Sequence, residues 1–276
     1  MDESESVIAH YGASSAKARV TDSLRQAGFG DGALSWEDLI PLDQFHVRGF
    51  AATRDLASAL HLTPDATVLD IGCGPGGASR FLAATYGVHV TAIDLSPSFI
   101  EIAVMLTERA GLTSKIAYRV ADALDLPFED SAFDYAWTQH VAMNIRDRPR
   151  LYGEIHRVLK PGGSLAIYDI VLGNGGPLIY PVPWARDPTI SFLLTSDAMR
   201  EVLVASGFDV VSWIDTTDTA AAWFAKQQST HGDKPALSSI ALDPRMQADF
   251  AVMVGNLRRN LTEGRIRLVQ TVLRRA

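Results

Sequence analysis

The stretch TVLDIGCGPGG, residues 67–77, constrains the fold of this chain more than any other part of the sequence. Its first half is a short apolar run with β-branched residues, which is typical of a buried strand. Its second half carries glycines 72, 74 and 77 in the spacing G-x-G-x-x-G. A strand that runs into such a loop is typical of open α/β sheets, which bind ligands beyond the carboxyl ends of their strands.

Strand and helix patterns alternate from about residue 68 onward, which predicts a mostly parallel sheet with crossover helices. After TVLDIG, the predicted strands are HVTAIDLS, IAYRVADA, FDYAWTQ, SLAIYDIV and DVVSWIDTT. The predicted helices include PSFIEIAVMLTERAGL, LYGEIHRVLKPGG and TSDAMREVLVASGF. The stretch RIRLVQTVLRR alternates with period two and predicts a last strand.

Two regions fall outside this alternation. Residues 1–60 carry helical patterns ahead of the sheet, and residues 173–189 are rich in glycine and proline. A long loop with aromatic residues after a sheet strand is more often functional than disordered. We therefore predict a cap segment at 1–60 and a sheet domain at 61–276, with cap insertions at about 173–190 and 216–264.

Composition limits the class of function. The 276 residues hold 25 Lys and Arg against 32 Asp and Glu, a net charge of −7, so the basic surface of a nucleic-acid-binding protein is not expected. Cys73 is the single cysteine, which excludes an intrachain disulfide and a cysteine-rich zinc site and fits a reducing cytoplasm. No signal peptide and no membrane-spanning run is predicted. We expect a cytoplasmic protein without a metal, either monomer or homodimer.

The charge of the glycine loop indicates its ligand. A pyrophosphate needs N–H donors and positive potential, but Pro75 has no N–H and Asp70 brings a carboxylate to the loop. Like charges in a half-buried site repel by on the order of kcal/mol. S-adenosylmethionine instead carries a sulfonium, an ammonium and one carboxylate, and Asp70 favours its cationic methionine end. Glycines let the backbone approach that ligand closely.

Acidic residues also end the next two predicted strands. Asp94 lies about twenty residues after the loop, where a carboxylate can accept both ribose hydroxyls. Asp122 can accept from the adenine amine, while the N–H of Ala123 reaches a ring nitrogen. Each aspartate alone is equally typical of a turn or a helix cap. Three of them at the carboxyl ends of consecutive strands favour an adenosine ligand.

The motifs VLDIGCGPGG, AIDLS, ADALDLPFEDSAFD and RVLKPGGSLAIYD, in this order over about residues 68–208, resemble those of a known family. It is the class I S-adenosylmethionine-dependent methyltransferases, closest to the small-molecule group with ubiquinone/menaquinone, tocopherol and sarcosine/dimethylglycine methyltransferases. The resemblance implies a Rossmann-like sheet of seven mostly parallel strands with an antiparallel last strand, helices on both faces and a cap. It also implies methyl transfer to a small-molecule acceptor, which leaves S-adenosylhomocysteine.

The same resemblance assigns candidate cofactor contacts. Gly72 and Gly74 are expected near the methionine part, and the backbone of Gln139 near the sulfonium. Phe45 lies in LDQFHVRGF, which resembles a segment that folds over the cofactor. The full set of candidates is Asp70, Gly72, Gly74, Asp94, Leu95, Asp122, Ala123, Gln139 and Phe45.

Methyl transfer from a sulfonium is an in-line displacement, which depends on alignment and on exclusion of water. A base is needed only where the nucleophile must lose a proton. His140 and His46 are the candidate bases, because imidazole titrates near neutral pH. Packing or helix capping is the alternative role for each histidine.

Three residues of the glycine- and proline-rich loop are candidates for binding the acceptor. The rings of Tyr180 and Trp184 suit a developing quaternary ammonium, and Arg186 suits a carboxylate. Apolar cover for the sheet edge and a solvated arginine are the alternatives. The identity of the acceptor, and whether nitrogen, carbon or oxygen is methylated, does not follow from the sequence.

Two other functions stay open at this point. An NAD-dependent oxidoreductase uses the same glycine spacing, although Asp70 and Pro75 disfavour it. A non-catalytic relative would bind the cofactor without turnover, although the intact loop and acids disfavour that too.

Overall fold

The computed structural model describes residues 3–11, 16–44, 46–231 and 244–276. Phe45 and residues 232–243 of the expected 216–264 insertion therefore lie outside the described residues. Four helices precede the sheet: α1 (Glu3–Tyr11), α2 (Ala16–Gln26), α3 (Ile40–Asp43) and α4 (Phe50–Ser58). Among the helices of the described ranges, none combines the length and the hydrophobicity that crossing a membrane requires.

Strands and helices then alternate along the chain. The first part holds β1 (Thr67–Ile71), α5 (Gly77–Tyr86), β2 (His89–Asp94), α6 (Pro97–Arg109), β3 (Ile116–Val120) and β4 (Phe133–Gln139). The second holds α7 (Arg148–Val158), β5 (Leu159–Leu172), α8 (Ser196–Ala205), β6 (Phe208–Asp215), α9 (Thr217–His231), α10 (Pro244–Thr262) and β7 (Ile266–Arg275).

The described strands form a seven-stranded sheet in the order β3-β2-β1-β4-β5-β7-β6. Strands β1 to β5 pair in parallel, whereas β7 is antiparallel to both β5 and β6. The last strand of the chain thus lies between two earlier ones. The predicted Rossmann-like fold with an antiparallel last strand is confirmed.

The strand order reverses at the centre of the sheet. Asp70 of β1 lies beside Ala92 of β2 on one side and beside Trp137 of β4 on the other. Connections from these central strands leave in opposite directions, and this opens a crevice at the carboxyl ends of the strands. The glycine loop, which follows β1, lies at that crevice.

Apolar side chains cover both faces of the sheet. Successive residues of β1 point to opposite faces, so Val68 joins one apolar cluster and Leu69 another. Helices α4, α5, α9 and α10 cover the first face, and α7 and α8 cover the second. A third cluster packs α2 against α6. This packing holds α2, and with it the N-terminal segment, against the edge of the crevice.

Helix α7 differs from its predicted bounds. It begins at Arg148, three residues before the expected start, because Asp147 accepts the N–H of Arg150 at 3.0 Å and caps the helix. It ends at Val158, and β5 begins at Leu159, so the Lys-Pro-Gly-Gly stretch belongs to the strand and not to the helix.

Candidate functional site

A cavity of about 250 Å³ opens at the carboxyl ends of β1 to β4. The cofactor candidates that line it are Asp70, Gly72, Gly74, Asp94, Leu95, Asp122, Ala123 and Gln139. His46, His140 and Trp184 line it as well, whereas Tyr180 and Arg186 do not. Residues separated by more than 130 positions in the sequence thus surround one space.

The glycine loop turns sharply and leaves few N–H donors for a ligand. The N–H groups of Gly72 and Cys73 both donate to the Ile93 carbonyl, at 2.8 and 2.9 Å. The Gly74 N–H donates to Asp94 Oδ2 at 2.9 Å, and Pro75 has no N–H. A pyrophosphate would need these donors, and β2 already uses them.

Glycine is required in this loop by conformation and by space. Gly72 has φ +70°, and a Cβ there would lie 2.3 Å from Cγ2 of Val141. Gly74 has φ +51°, but a Cβ there would meet nothing within 4 Å. The loop therefore packs tightly at Gly72 and stays open toward the cavity at Gly74.

Asp94 holds the loop and keeps capacity for a ligand. Its Oδ1 accepts the Ser96 N–H at 2.8 Å, and its Oδ2 accepts from Gly74. Burial raises the pKa of Asp94 to about 6, although these backbone N–H groups oppose the shift. A carboxylate has about four acceptor sites, so Asp94 can still accept two hydroxyl groups.

Asp70 and Asp122 are the other acids at the strand ends. Asp70 is 2% exposed and accepts the Ser79 hydroxyl at 2.5 Å. Burial raises the pKa of Asp70 to about 7. Asp122 accepts the Leu124 N–H at 2.9 Å. Within the described part of the chain, neither of them nor Asp94 forms an ion pair.

The remaining acids of the lining are already neutralised. Asp43 accepts from Arg80 at 2.7 Å in a buried pair that anchors α3 to α5. Glu3 accepts from Arg146 at 2.5 Å at the rim. Arg146 is the one lysine or arginine that lines the cavity among the described residues. When Asp70, Asp94 and Asp122 are ionised, the cavity therefore carries negative charge that no described lysine or arginine of the lining balances.

His46 is held by its Nε2 atom. That atom lies 3.0 Å from the Gly49 carbonyl and 2.9 Å from Thr53 Oγ1. Burial lowers the pKa of His46 to about 4, so the ring is neutral at pH 7. The Nε2 atom of Gln139 lies 3.2 Å from the same nitrogen, which therefore contacts a carbonyl, a hydroxyl and an amide.

His140 has a polar atom without a partner. The backbone N–H of His140 donates to the backbone carbonyl of Tyr168 at 2.8 Å. The His140 ring stacks on the Tyr168 ring, with the two ring centroids 5.2 Å apart. The Nε2 atom of His140 is buried and has no hydrogen-bond partner among the residues that the structure describes. Burial also lowers the pKa of His140 well below its usual value. A buried nitrogen without a partner at a cavity wall is a natural contact for a bound ligand.

The three acceptor candidates from the loop after β5 lie in different surroundings. Trp184 is 1% exposed, and its Nε1 donates to Ser191 Oγ at 2.9 Å. Tyr180 packs, half-buried, against the apolar cluster of the first face. Arg186 pairs with Asp249 at 2.7 Å. Only Trp184 of these three reaches the cavity.

Asn144 contributes to the site although the sequence analysis did not single it out. Its Nδ2 donates to the carbonyls of Trp184 and Ile190 at 2.8 and 2.7 Å. Its Oδ1 accepts the Tyr11 hydroxyl at 3.0 Å. Asn144 belongs to a short helical turn after β4, and no local pattern in the sequence marks such a tertiary contact.

The chain is similar to known methyltransferases. A family model described as a methyltransferase domain matches residues 69–167. An O-methyltransferase of Pyrenophora dematioidea is 31% identical over 182 residues, a match that covers 65% of this chain and 68% of that protein. These matches confirm the resemblance that the motifs indicated and disfavour the NAD-dependent oxidoreductase.

Solved structures share the fold. Phosphoethanolamine N-methyltransferase 2 of Haemonchus contortus, in complex with S-adenosyl-L-methionine, superposes with a TM-score of 0.70 at 20% identity, over 93% of this chain and 60% of that one. The [4+2]-cyclase SpnF gives a TM-score of 0.70 at 24% identity, over 100% and 97%. The sequence relatives and the shared fold establish that the chain belongs to the class I S-adenosylmethionine-dependent methyltransferases, in the group that acts on small molecules.

Proposed function

We propose that the cavity binds S-adenosylmethionine against the ends of β1 to β3 and a small-molecule acceptor on its other side. The observation that carries this assignment is the set of carboxylates Asp70, Asp94 and Asp122, which line the cavity without an ion-pair partner among the described residues. A ligand with a sulfonium and an ammonium supplies the missing positive charge. A pyrophosphate would instead add repulsion between like charges.

The roles within the cofactor site follow from the strand ends. Asp94 accepts the ribose hydroxyls with Leu95 beside it, and Asp122 with Ala123 meets the adenine. Asp70 favours the cationic methionine end, and Gly72 and Gly74 let the backbone come close. Two observations support these roles: the named residues line the same cavity, and the space beside Gly74 is open. Gln139 and Phe45 stay predictions from the resemblance.

The residues of the chain align the reactants and handle the proton. Bound S-adenosylmethionine supplies an electrophilic methyl group. Of the two histidines, His140 is the better candidate base, because its Nε2 has no partner while His46 Nε2 is engaged by Gly49. The His140 ring is neutral at pH 7, so it has a lone pair for a proton, while burial lowers its pKa and makes it a weaker base than free imidazole.

Residues 1–60 and the two insertions are proposed to form a cap. Helix α1 contributes Tyr11 to the lining, the loop after β5 contributes Pro183, and α10 contributes Leu257. Closure by these segments would exclude water from the reacting atoms. The cytoplasmic location, the absence of a nucleic-acid partner and the monomeric or homodimeric state remain predictions, testable by cell fractionation, an electrophoretic mobility shift assay and light scattering.

The test has two arms. Calorimetry should detect binding of S-adenosylmethionine and S-adenosylhomocysteine but not of NAD. Mass spectrometry should then find a product that has gained one methylene after incubation with a metabolite library and labelled cofactor. Binding of NAD alone would overturn the cofactor assignment. Cofactor binding without any methylated product would favour the non-catalytic alternative. The search for a methylated product is needed because a [4+2]-cyclase shares this fold, so the fold alone does not establish methyl transfer.

A further inference from the structure

We infer that the acceptor is an uncharged, largely apolar molecule that presents a phenolic or enolic hydroxyl to His140. This inference rests on the proposed function and specifies the acceptor of the same site. It follows from the apolar part of the cavity lining, from the ion pairs that engage the charged side chains of the lining, and from the His140 nitrogen that has no partner among the described residues.

Apart from the three carboxylates, the cavity is lined largely by apolar side chains from four parts of the fold. They come from α1, from the segment after β4, from β5 with its following loop, and from α10. The residues are Val7, Met143, Ile145, Ile170, Pro183, Trp184, Phe250 and Leu257. An apolar acceptor would bury its surface there at about 25 cal/mol per Å².

An anionic acceptor finds no lysine or arginine free of an ion pair among the described residues of the lining. Arg146 is engaged by Glu3, and Arg186 is engaged by Asp249 and does not line the cavity. A phosphate or carboxylate in the described lining would either stay without a partner or draw Arg146 away from Glu3, which then loses its own partner. An acceptor whose carboxylate binds Arg186, which the sequence suggested, is thus disfavoured.

A cationic acceptor also lacks a partner there. The proposed function assigns the free carboxylates, Asp70, Asp94 and Asp122, to S-adenosylmethionine, and Asp43 pairs with Arg80. A protonated amine bound among the described apolar residues would lose its hydration without gaining an ion pair, and contact with the Trp184 ring would return only part of that loss. A neutral acceptor avoids both penalties.

The unpaired Nε2 of His140 points to a hydroxyl. A phenol or enol loses its proton near pH 10, much closer to the range of imidazole than an aliphatic alcohol. In the transfer, the hydroxyl proton passes to His140 Nε2 while the oxygen forms a bond to the methyl carbon. The carbon–sulfur bond breaks, and its electron pair remains on sulfur as a neutral thioether. His140 later returns the proton to solvent.

The experiment uses three probes that share one phenol. They are para-phenylphenol, its far-ring carboxylate derivative and its far-ring aminomethyl derivative. Calorimetry measures their binding to the full chain saturated with S-adenosylhomocysteine, which reports on the acceptor side apart from catalysis. We expect the neutral phenol to bind at least about tenfold more tightly than either charged derivative. Equal or tighter binding of a charged derivative, or no binding of the neutral phenol, would overturn the inference.

A pair of variants at Val7 tests the charge argument directly. Val7 lines the cavity from α1 and is half-buried, so both Val7→Lys and Val7→Met are compatible with folding. Val7→Lys should shift the preference toward the carboxylate derivative by about tenfold, while Val7→Met of similar length leaves the ranking unchanged. An unchanged ranking in Val7→Lys would show that charge does not select the acceptor.

Failure of this inference can be told apart from failure of the proposed function. If S-adenosylhomocysteine does not bind, the proposed function fails before any acceptor is added. If S-adenosylhomocysteine binds and the library yields a methylated phosphate, carboxylate or amine compound, the function stands and the acceptor inference fails. A methylated neutral phenol or enol supports both.

Discussion

The hydroxyl of Tyr11 donates a 3.0 Å hydrogen bond to Oδ1 of Asn144 and so joins the first helix to the segment after β4. The Nδ2 of Asn144 binds the carbonyls of Trp184 and Ile190. One buried amide therefore connects three segments that are distant in the sequence. All three meet at the side of the cavity where we place the acceptor.

Replacing Asn144 by leucine should destabilise the protein more than replacing Tyr11 by phenylalanine. Asn144→Leu leaves two carbonyls and a hydroxyl without partners and should lower the free energy of unfolding by about 2–4 kcal/mol. Tyr11→Phe removes one hydrogen bond and should lower it by about 1 kcal/mol. Urea denaturation measures both. An effect of Asn144→Leu no larger than that of Tyr11→Phe would mean that Asn144 does not join these segments.

Adding a methyl group at Gly74 should weaken cofactor binding without a matching loss of stability. Gly74 and Gly111 both have positive φ, at +51° and +68°, and an added Cβ meets no atom within 4 Å at either position. The variants Gly74→Ala and Gly111→Ala should therefore each lose about 1–2 kcal/mol of stability, because alanine is strained in the left-handed backbone region. Only Gly74 lines the cavity, so only Gly74→Ala should raise the Kd for S-adenosylhomocysteine. Equal Kd values in the two variants would place the ligand away from this loop.

The sheet and the cofactor side were predictable because local patterns determine them. The first strand was marked by a short apolar run with β-branched residues and the last by a period-two alternation. The carboxyl ends of parallel strands share one edge of a sheet, so Asp70, Asp94 and Asp122 had to approach one another. The sequence assigned Gly72 and Gly74 to a close approach of the backbone, and the structure adds that both have positive φ.

The acceptor side was less predictable because it depends on contacts between distant residues. Tyr11 and Asn144 are 133 positions apart, and Arg186 meets Asp249 across 63 positions. A propensity or a motif spans only a few residues and carries no record of such partners. For this reason the sequence made Tyr180, Trp184 and Arg186 equal candidates, whereas the structure places only Trp184 at the cavity.

Asp94→Ala should weaken cofactor binding by about 1–3 kcal/mol through the loss of charged hydrogen bonds to the ribose. Because Asp94 also accepts from Gly74 and Ser96, this variant should lose stability even without ligand. Asp94→Asn keeps one accepting oxygen and should give intermediate values for both quantities. Calorimetry and urea denaturation separate the two effects, and an unchanged Kd in Asp94→Ala would remove the ribose assignment.

His140→Asn tests the proposed base. Asparagine tolerates the left-handed backbone that His140 adopts at φ 53°, so the variant should fold. The rate of methyl transfer should fall by about a hundredfold or more because the proton acceptor is lost. The Kd for S-adenosylhomocysteine should stay within about twofold of the parent value, since His140 is not assigned to the cofactor. Full activity would leave His140 with a packing role on Tyr168.

Asp70→Asn should remove a pH dependence that burial creates. The pKa of Asp70 is raised to about 7, above the ordinary 3.8, so between these values the folded chain holds a proton that the unfolded chain has lost. Without ligand, the contribution of Asp70 to stability is therefore present in acid and declines as the pH rises through about 4 to 7. Urea denaturation at several pH values should show this decline in the parent relative to Asp70→Asn.

Cofactor binding should depend on pH in the opposite direction. Only ionised Asp70 attracts the cationic end of S-adenosylmethionine, so the affinity of the parent should rise between pH 6 and pH 8, centred near the Asp70 pKa of about 7. A gain of about tenfold corresponds to roughly 1.4 kcal/mol. Asp70→Asn, which cannot ionise, should retain only the smaller dependence contributed by Asp94, whose pKa lies near 6. Calorimetry across this range decides the matter, because an affinity for S-adenosylmethionine with the same pH dependence in both proteins would mean that Asp70 orients the loop without attracting the cation.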